Sequence, residues 1–211
     1  KIPRPSKKEE RIRNYLEEFA RKHGLDCISD KAGNILIRKE AYKGMESRET
    51  TILQSHLDMV CEKDSHTNHD FNEDPILTLI ENGWMKARGT TLGADDGIGI
   101  ASMMAILASE DIKHGPLECL FTIDEESGLT GAKQIDPEFL KGKILINLDS
   151  EDEGEIFIGC AGGIDTIATF GYKPKGIPSD HIASEINIRG LNGGHSGDDI
   201  HINTENSIVI L

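Results

Sequence analysis

Four short stretches of this 211-residue chain put acids, or an acid and a histidine, where they could share a cation. His56-Leu57-Asp58 closes an apolar run. Side chains two apart on an extended segment point to one side, so Asp58 can hold the far ring nitrogen of His56, fix its tautomer and raise its basicity. Read alone, the pair is equally a strand-end His and Asp facing water. Gly93-Ala94-Asp95-Asp96-Gly97-Ile98-Gly99 sets two acids at a helix N-terminus, where the dipole and free N–H groups favour carboxylates. Ordinary capping would use the same residues, although the glycines also permit close backbone approach. Asp124-Glu125-Glu126 follows a second apolar run. One of these neighbouring glutamates can ligate a metal while the other serves as base, and a solvated acidic turn is the alternative. Asp149 closes a third apolar run, ahead of an acidic stretch that reads as a solvated loop.

Ligands in open α/β sheets bind at the carboxyl ends of strands, and these segments finish at such ends. One imidazole and several carboxylates aimed at one edge would repel each other without a cation. That donor set suits zinc, with manganese or cobalt as alternatives.

Other reactive residue types carry less. His66-Thr67-Asn68-His69 lies in a polar stretch without further ligands and reads as a surface loop. Gly193-Gly194-His195-Ser196-Gly197, on its own, reads as a turn. Cys27, Cys61, Cys119 and Cys160 are scattered with no Cys-x-x-Cys pair, so they are expected to be reduced thiols of a cytosolic protein and mostly small buried hydrophobes. Cys61 is the exception to watch, because it follows the His56-Asp58 pair.

The elements that must position these residues are legible as pattern. Residues 6–24 predict a helix with a Ser6/Glu9 capping box, Gly24 past its end, and Ile12, Tyr15, Leu16, Phe19 and Ala20 on one face. Strands are expected at 34–38, 51–57, 117–123, 144–148 and 155–159, with a hairpin of 76–80 and 84–87 about Asn82-Gly83. A Gly-punctuated helix is expected over 96–109. Alternating strands and helices predict an α/β layered domain with a largely parallel sheet. After Gly163 the character changes. Alternating strands at 164–170 and 182–188 flank a linker at 173–179, and a helix begins near Asn203. A first domain is therefore expected over 1–162 and an incomplete second one over 163–211.

Lys and Arg number 23 against 37 Asp and Glu, a formal charge of −14. That excludes the basic patches a nucleic-acid or anionic-membrane partner would need. No apolar run is long enough to span a bilayer, and no charged-then-apolar leader precedes the first helix. Because the first residue is Lys1 rather than Met, residues are expected in front of it.

Taken together the motifs are far more specific than any one of them. QSHLDMV (54–60), ARGTTLGADDGIG (87–99), DEESGLTGA (124–132), NLDSEDEGE (147–155), GCAGGID (159–165) and GGHSGDDIH (193–201) resemble the aminoacyl-histidine dipeptidases, also called cytosol non-specific dipeptidases. These belong to a co-catalytic zinc peptidase family that includes peptidase T and carboxypeptidase G. The resemblance implies a layered zinc-peptidase domain followed by the start of an α+β lid domain, through which the parent protein would form a homodimer. It implies two zinc ions, for which cobalt or manganese could substitute, and cytoplasmic hydrolysis of small dipeptides, Xaa-His or broader. Asp95 would bridge the metals, His56 and Asp149 would complete one site, and Glu126 would belong to the other. Glu125 would be the general base, Asp58 would orient His56, and His195 would approach the substrate from the lid.

The family also uses a second-site histidine near its C-terminus, which no residue up to Leu211 matches. The 211-residue chain alone is therefore expected to lack turnover. Two rival readings stay open: another amide hydrolase built on the same site, such as a deacylase or carboxypeptidase, and a non-catalytic folded module.

Overall fold

The first helix, α1, spans Glu10–Lys22 and buries Ile12, Leu16 and Ala20, one residue per turn along a single stripe. Beyond its end Gly24 takes a left-handed φ of 65°, and the Leu25 N–H closes onto the Ala20 carbonyl at 2.9 Å. The start departs from the expected capping box. The helix begins at Glu10, and no side chain caps it. Ser6 Oγ instead donates to Asp58 Oδ2 at 2.7 Å, and the Glu9 carboxylate accepts the Lys7 and Asp124 N–H groups at 3.0 and 2.9 Å. The competing partners are a buried carboxylate and a buried amide from distant segments, and satisfying them outweighs a local cap of about 1 kcal/mol. The computed structural model describes residues 2–150, 152–160, 162, 164, 166–193, 199, 201–202 and 204–210.

Strands β1 (Asp26–Ser29), β2 (Ile35–Lys39) and β3 (Thr51–His56) follow, then a separate hairpin of β4 (Thr78–Glu81) and β5 (Trp84–Ala87). Asn82 and Gly83 turn that hairpin with φ of 52° and 80°, as Asn-Gly prescribes. Helix α2 (Ala94–Ala108), β6 (Leu117–Thr122), the short helices α3 (Glu125–Gly128) and α4 (Thr130–Gln134), a 3₁₀ turn (Pro137–Phe139) and β7 (Ile144–Asn147) complete the set. The main sheet runs β1-β2-β6-β3-β7. β3 pairs in parallel with both β6 and β7, while β2 pairs antiparallel with β6 and β1. The fold is thus α/β, with its parallel half carrying the strand ends of interest and an antiparallel edge beside it.

One sheet face meets α1 and α2, where Leu16, Ile35, Ile37, Met103, Cys119 and Phe121 are fully buried. The opposite face holds a smaller cluster of Leu36, Ile52 and Leu120. β6 is buried along its whole length. Its one charged residue, Glu118, takes Arg38 Nε at 2.9 Å and the N–H groups of Lys141 and Gly142 at 2.8 and 2.9 Å. That bond set fixes the entry into β7.

The chain divides into two units, Lys1–Glu153 and Gly154–Leu211. Within the second, the strands expected at 155–159, 164–170 and 182–188 are not formed among the described residues. An extended segment needs a neighbour to take its N–H and C=O groups, and no ladder joins these segments. Ile158, Ile164, Ile167, Ile182 and Ile186 are accordingly exposed. The expected helix near Asn203 is a single turn, α5 (Ser207–Ile210). Among the described residues no helix is long and apolar enough to cross a membrane.

Candidate metal centre

Strand register assembles the centre. His56 is the last residue of β3 and sits opposite Thr122, the last of β6, while Asn147, the last of β7, sits opposite Gln54. The three parallel strands thus finish nearly level, and the residues after them share one edge. His56, 1% exposed, places Nε2 2.7 Å from Asp95 Oδ1 and 3.4 Å from Asp149 Oδ1. On the other side of the ring Asp58 Oδ1 lies 3.4 Å from Nδ1. That distance is long for a hydrogen bond, so Nδ1 is buried without one, and Asp58 acts on the ring by charge and position.

Asp58 is fully buried and accepts the backbone N–H groups of Glu125 and Glu126 at 2.9 and 3.1 Å, besides Ser6 Oγ. Burial pushes its carboxyl up, but His56, these N–H groups and Ser6 outweigh that and bring it down to about 2. The chain reaches Glu125 through Asp124, whose left-handed φ of 50° ends the β6 line sharply. Asp tolerates that region better than most residues, and here its carboxylate is also held by Ser127 Oγ and Thr130 Oγ1.

The Asp95-Asp96 segment is not helical as expected. Both residues have non-helical dihedrals, the peptide bond between them is cis, and regular helix starts after them. The two acids divide the roles that the sequence left open. Asp96 is buried and caps the helix, its Oδ1 accepting the Gly99 N–H at 3.1 Å, while Asp95 turns to His56. A Cβ on Gly99 would collide with the Asp96 carboxylate, which explains that glycine.

Two groups of donor atoms each lie within 4.8 Å of one another: His56 with Asp95 and Asp149, and His56 with Glu125 and Glu126. The electrostatics show what this arrangement lacks. Burial lowers the His56 pKa, yet Asp149, Asp58 and Asp95 overcome it and push it up to about 12. Glu125 is raised by burial and by Asp149, Asp58 and Asp95, and Glu126 by burial and by Asp95 and Glu125. The cluster therefore calls for positive charge, which a proton on His56 supplies at its centre among the described residues. His56 Nε2 facing the acids, four converging carboxylates and this charge deficit fit a bound divalent cation.

His195 lies outside the described residues. His69, expected on the surface, is buried, its ring edge-on to Phe71, and joins no group of metal donors among the described residues. All four cysteines are free; Cys119 is buried, Cys27 and Cys61 are half-buried and Cys160 is exposed. Sequence reasoning missed Arg4, Glu9 and Asn34, which are buried and tie loops around the centre. Asn34 Nδ2 donates to the Gly131 carbonyl at 3.0 Å and its Oδ1 accepts the Ile123 N–H at 3.2 Å. The available signal was Arg4 between two prolines ahead of the helix, a cation in a stretch with no exposed role.

Comparison with known proteins agrees with this architecture. The chain is 48% identical over 210 residues to the cytosol non-specific dipeptidase of Escherichia coli, a match covering 100% of this chain and 43% of that protein. Among solved structures it resembles the aminoacylhistidine dipeptidase of Vibrio alginolyticus, with a TM-score of 0.71 and 52% identity over 72% of this chain and 31% of that one. The aminopeptidase PepT of Bacillus cereus matches with a TM-score of 0.60 and 30% identity over 72% of this chain and 40% of that one. The chain thus spans less than half the length of the relatives it matches. Residues 52–194, which contain every candidate ligand, match the model of peptidase family M20/M25/M40, and the chain belongs to that family.

Proposed function

We propose that this chain carries the metal-binding half of a zinc-dependent dipeptidase active in the cytoplasm. The observation that carries the reading is the convergence of His56, Asp95, Asp149, Glu125 and Glu126 at the level ends of β3, β6 and β7. The 48% identity to a cytosol non-specific dipeptidase supports dipeptides, Xaa-His or broader, as substrates. In this reading His56, Asp95 and Asp149 hold one zinc, and Asp95 with Glu126 contributes to a second. When bound, zinc supplies Lewis-acid activation of water and of the scissile carbonyl. Glu125, whose pKa is raised above the ordinary carboxyl value, takes the proton from the attacking water and delivers it to the leaving amine. Asp58 holds His56 and the start of the glutamate pair in place. In the parent protein residues 163–211 would begin the lid domain through which two copies pair, and His195 would act on the substrate.

The test is hydrolysis of a dipeptide panel against N-acyl amino acids by the full-length parent protein, with zinc added to its metal-stripped form. Zinc-dependent cleavage of dipeptides is the expected result. Preference for N-acyl amino acids would move the assignment to a deacylase on the same site, and activity unaffected by chelation would overturn it.

A further inference from the structure

The N-terminal residues 4–9 reach three of the loops that carry the candidate ligands, although their sequence reads only as the approach to a helix. Arg4 is 7% exposed and spends its guanidinium on backbone carbonyls. Nη1 donates to Leu57 at 2.8 Å and also to Asp58, while Nη2 donates to Gly93. Pro5 bridges in parallel to Met59, Ser6 binds the Asp58 carboxylate, and Glu9 takes the Asp124 N–H. The His56-Asp58, Gly93-Asp96 and Asp124-Glu126 loops are thus all tied to one short segment.

We propose that residues 4–9 are a strap that sets the metal centre, with Arg4 the positioning residue that locks the His56 strand end to the loop presenting Asp95. The inference rests on the metal-site reading. Three details support it. Gly93 and Gly97 flank Asp95 and Asp96, and a Cβ on either would lie 2.7 or 3.0 Å from Arg4 Nη2, so the glycines leave the space that the guanidinium fills. A planar fork with five fixed donors can hold carbonyls from two segments at once, which a lysine ammonium on a flexible stem cannot match. Arg4 also makes no direct ion pair among the described residues; Asp58, Asp96 and Asp95 balance its charge from farther away. It therefore offsets the acidic cluster without occupying the carboxylate oxygens that a metal would need.

The test titrates zinc into metal-free protein against a chromophoric chelator, for wild type, Arg4→Met, Arg4→Lys and His56→Ala, with the thermal midpoint of each metal-free form. Arg4→Met is expected to bind zinc about 10–100-fold more weakly, the range for removing groups that orient ligands. Arg4→Lys should recover part of the loss. Equal affinity of wild type and Arg4→Met, whatever the thermal midpoint, overturns the proposal. Should Arg4→Met not fold, Arg4→Lys and Ser6→Ala decide: weaker zinc binding supports the strap, and unchanged binding in both overturns it. If wild type binds zinc no better than His56→Ala, the metal-site reading fails and the strap falls with it.

Discussion

Asp58 accepts the Glu125 N–H at 2.9 Å, so the carboxylate that lies beside the histidine ring also sets where the glutamate pair begins. One side chain thereby couples two of the strand ends that make up the candidate centre.

In the full-length parent protein, Asp58→Ala should lower zinc affinity and dipeptide turnover together, each by about 10–100-fold, although Asp58 is not itself among the grouped donors. Equilibrium dialysis beside steady-state kinetics measures both. Loss of turnover with zinc affinity unchanged would remove Asp58 from the role of holding His56.

The adjacent glutamates should separate. In the full-length parent protein, Glu125→Gln is expected to keep its metal while kcat falls by about 10²–10⁴-fold, the contribution of a general base. Glu126→Ala should lose metal, with activity partly restored by excess zinc. Metal analysis of the two variants side by side checks this, and the opposite pattern reverses their roles.

Zinc binding near pH 7 should release about one proton per chain, because His56 must give up the proton its carboxylate neighbours hold and ligands bind deprotonated. Calorimetry in buffers of differing ionisation enthalpy reads the proton count. The sign of the linked stability follows from the raised pKa. In metal-free protein the His56 contribution is complete below the unfolded imidazole value of about 6.5. It is lost only as pH rises through about 12. Zinc uptake without proton release would contradict this account.

Glu118→Ala should cost about 1–3 kcal/mol, the penalty for unmet hydrogen bonds, since two N–H groups lose their acceptor while Arg38 keeps Asp26 and the Phe139 carbonyl. Denaturant unfolding measures it. The Glu118 pKa is lowered: burial raises it, and the Gly142 and Lys141 N–H groups and Arg38 more than reverse that. Its contribution is therefore present above the unfolded carboxyl value of about 4.3 and fades as pH falls below it. The variant should accordingly show a weaker loss of stability on acidification than wild type.

The candidate donors were legible because they stand directly after apolar runs, and apolar runs that end in polar residues are what buried parallel strands look like. The supports were not legible. Ser6 and Glu9 have the spacing of a capping box, but their partners lie 52 and 115 residues away, beyond any local rule. β1 escaped notice because its four residues, exposed Asp26 and Ser29 around half-buried Cys27 and Ile28, carry no alternation. The alternation at 164–170 and 182–188 reads as strand, and alternation describes a face without supplying the neighbour that a strand needs.

β7 is an edge strand of the sheet, paired among the described residues with β3, with Ile144, Leu145 and Ile146 each about half exposed, and Asp149 follows its end. If Asp149 holds zinc as proposed, the ion would fasten β7 as well as serve the reaction. Whatever the ion gains from an ordered β7 it must return as ordering of β7, by equal free energies in both directions. A change that orders β7 would consequently raise metal affinity without touching the metal.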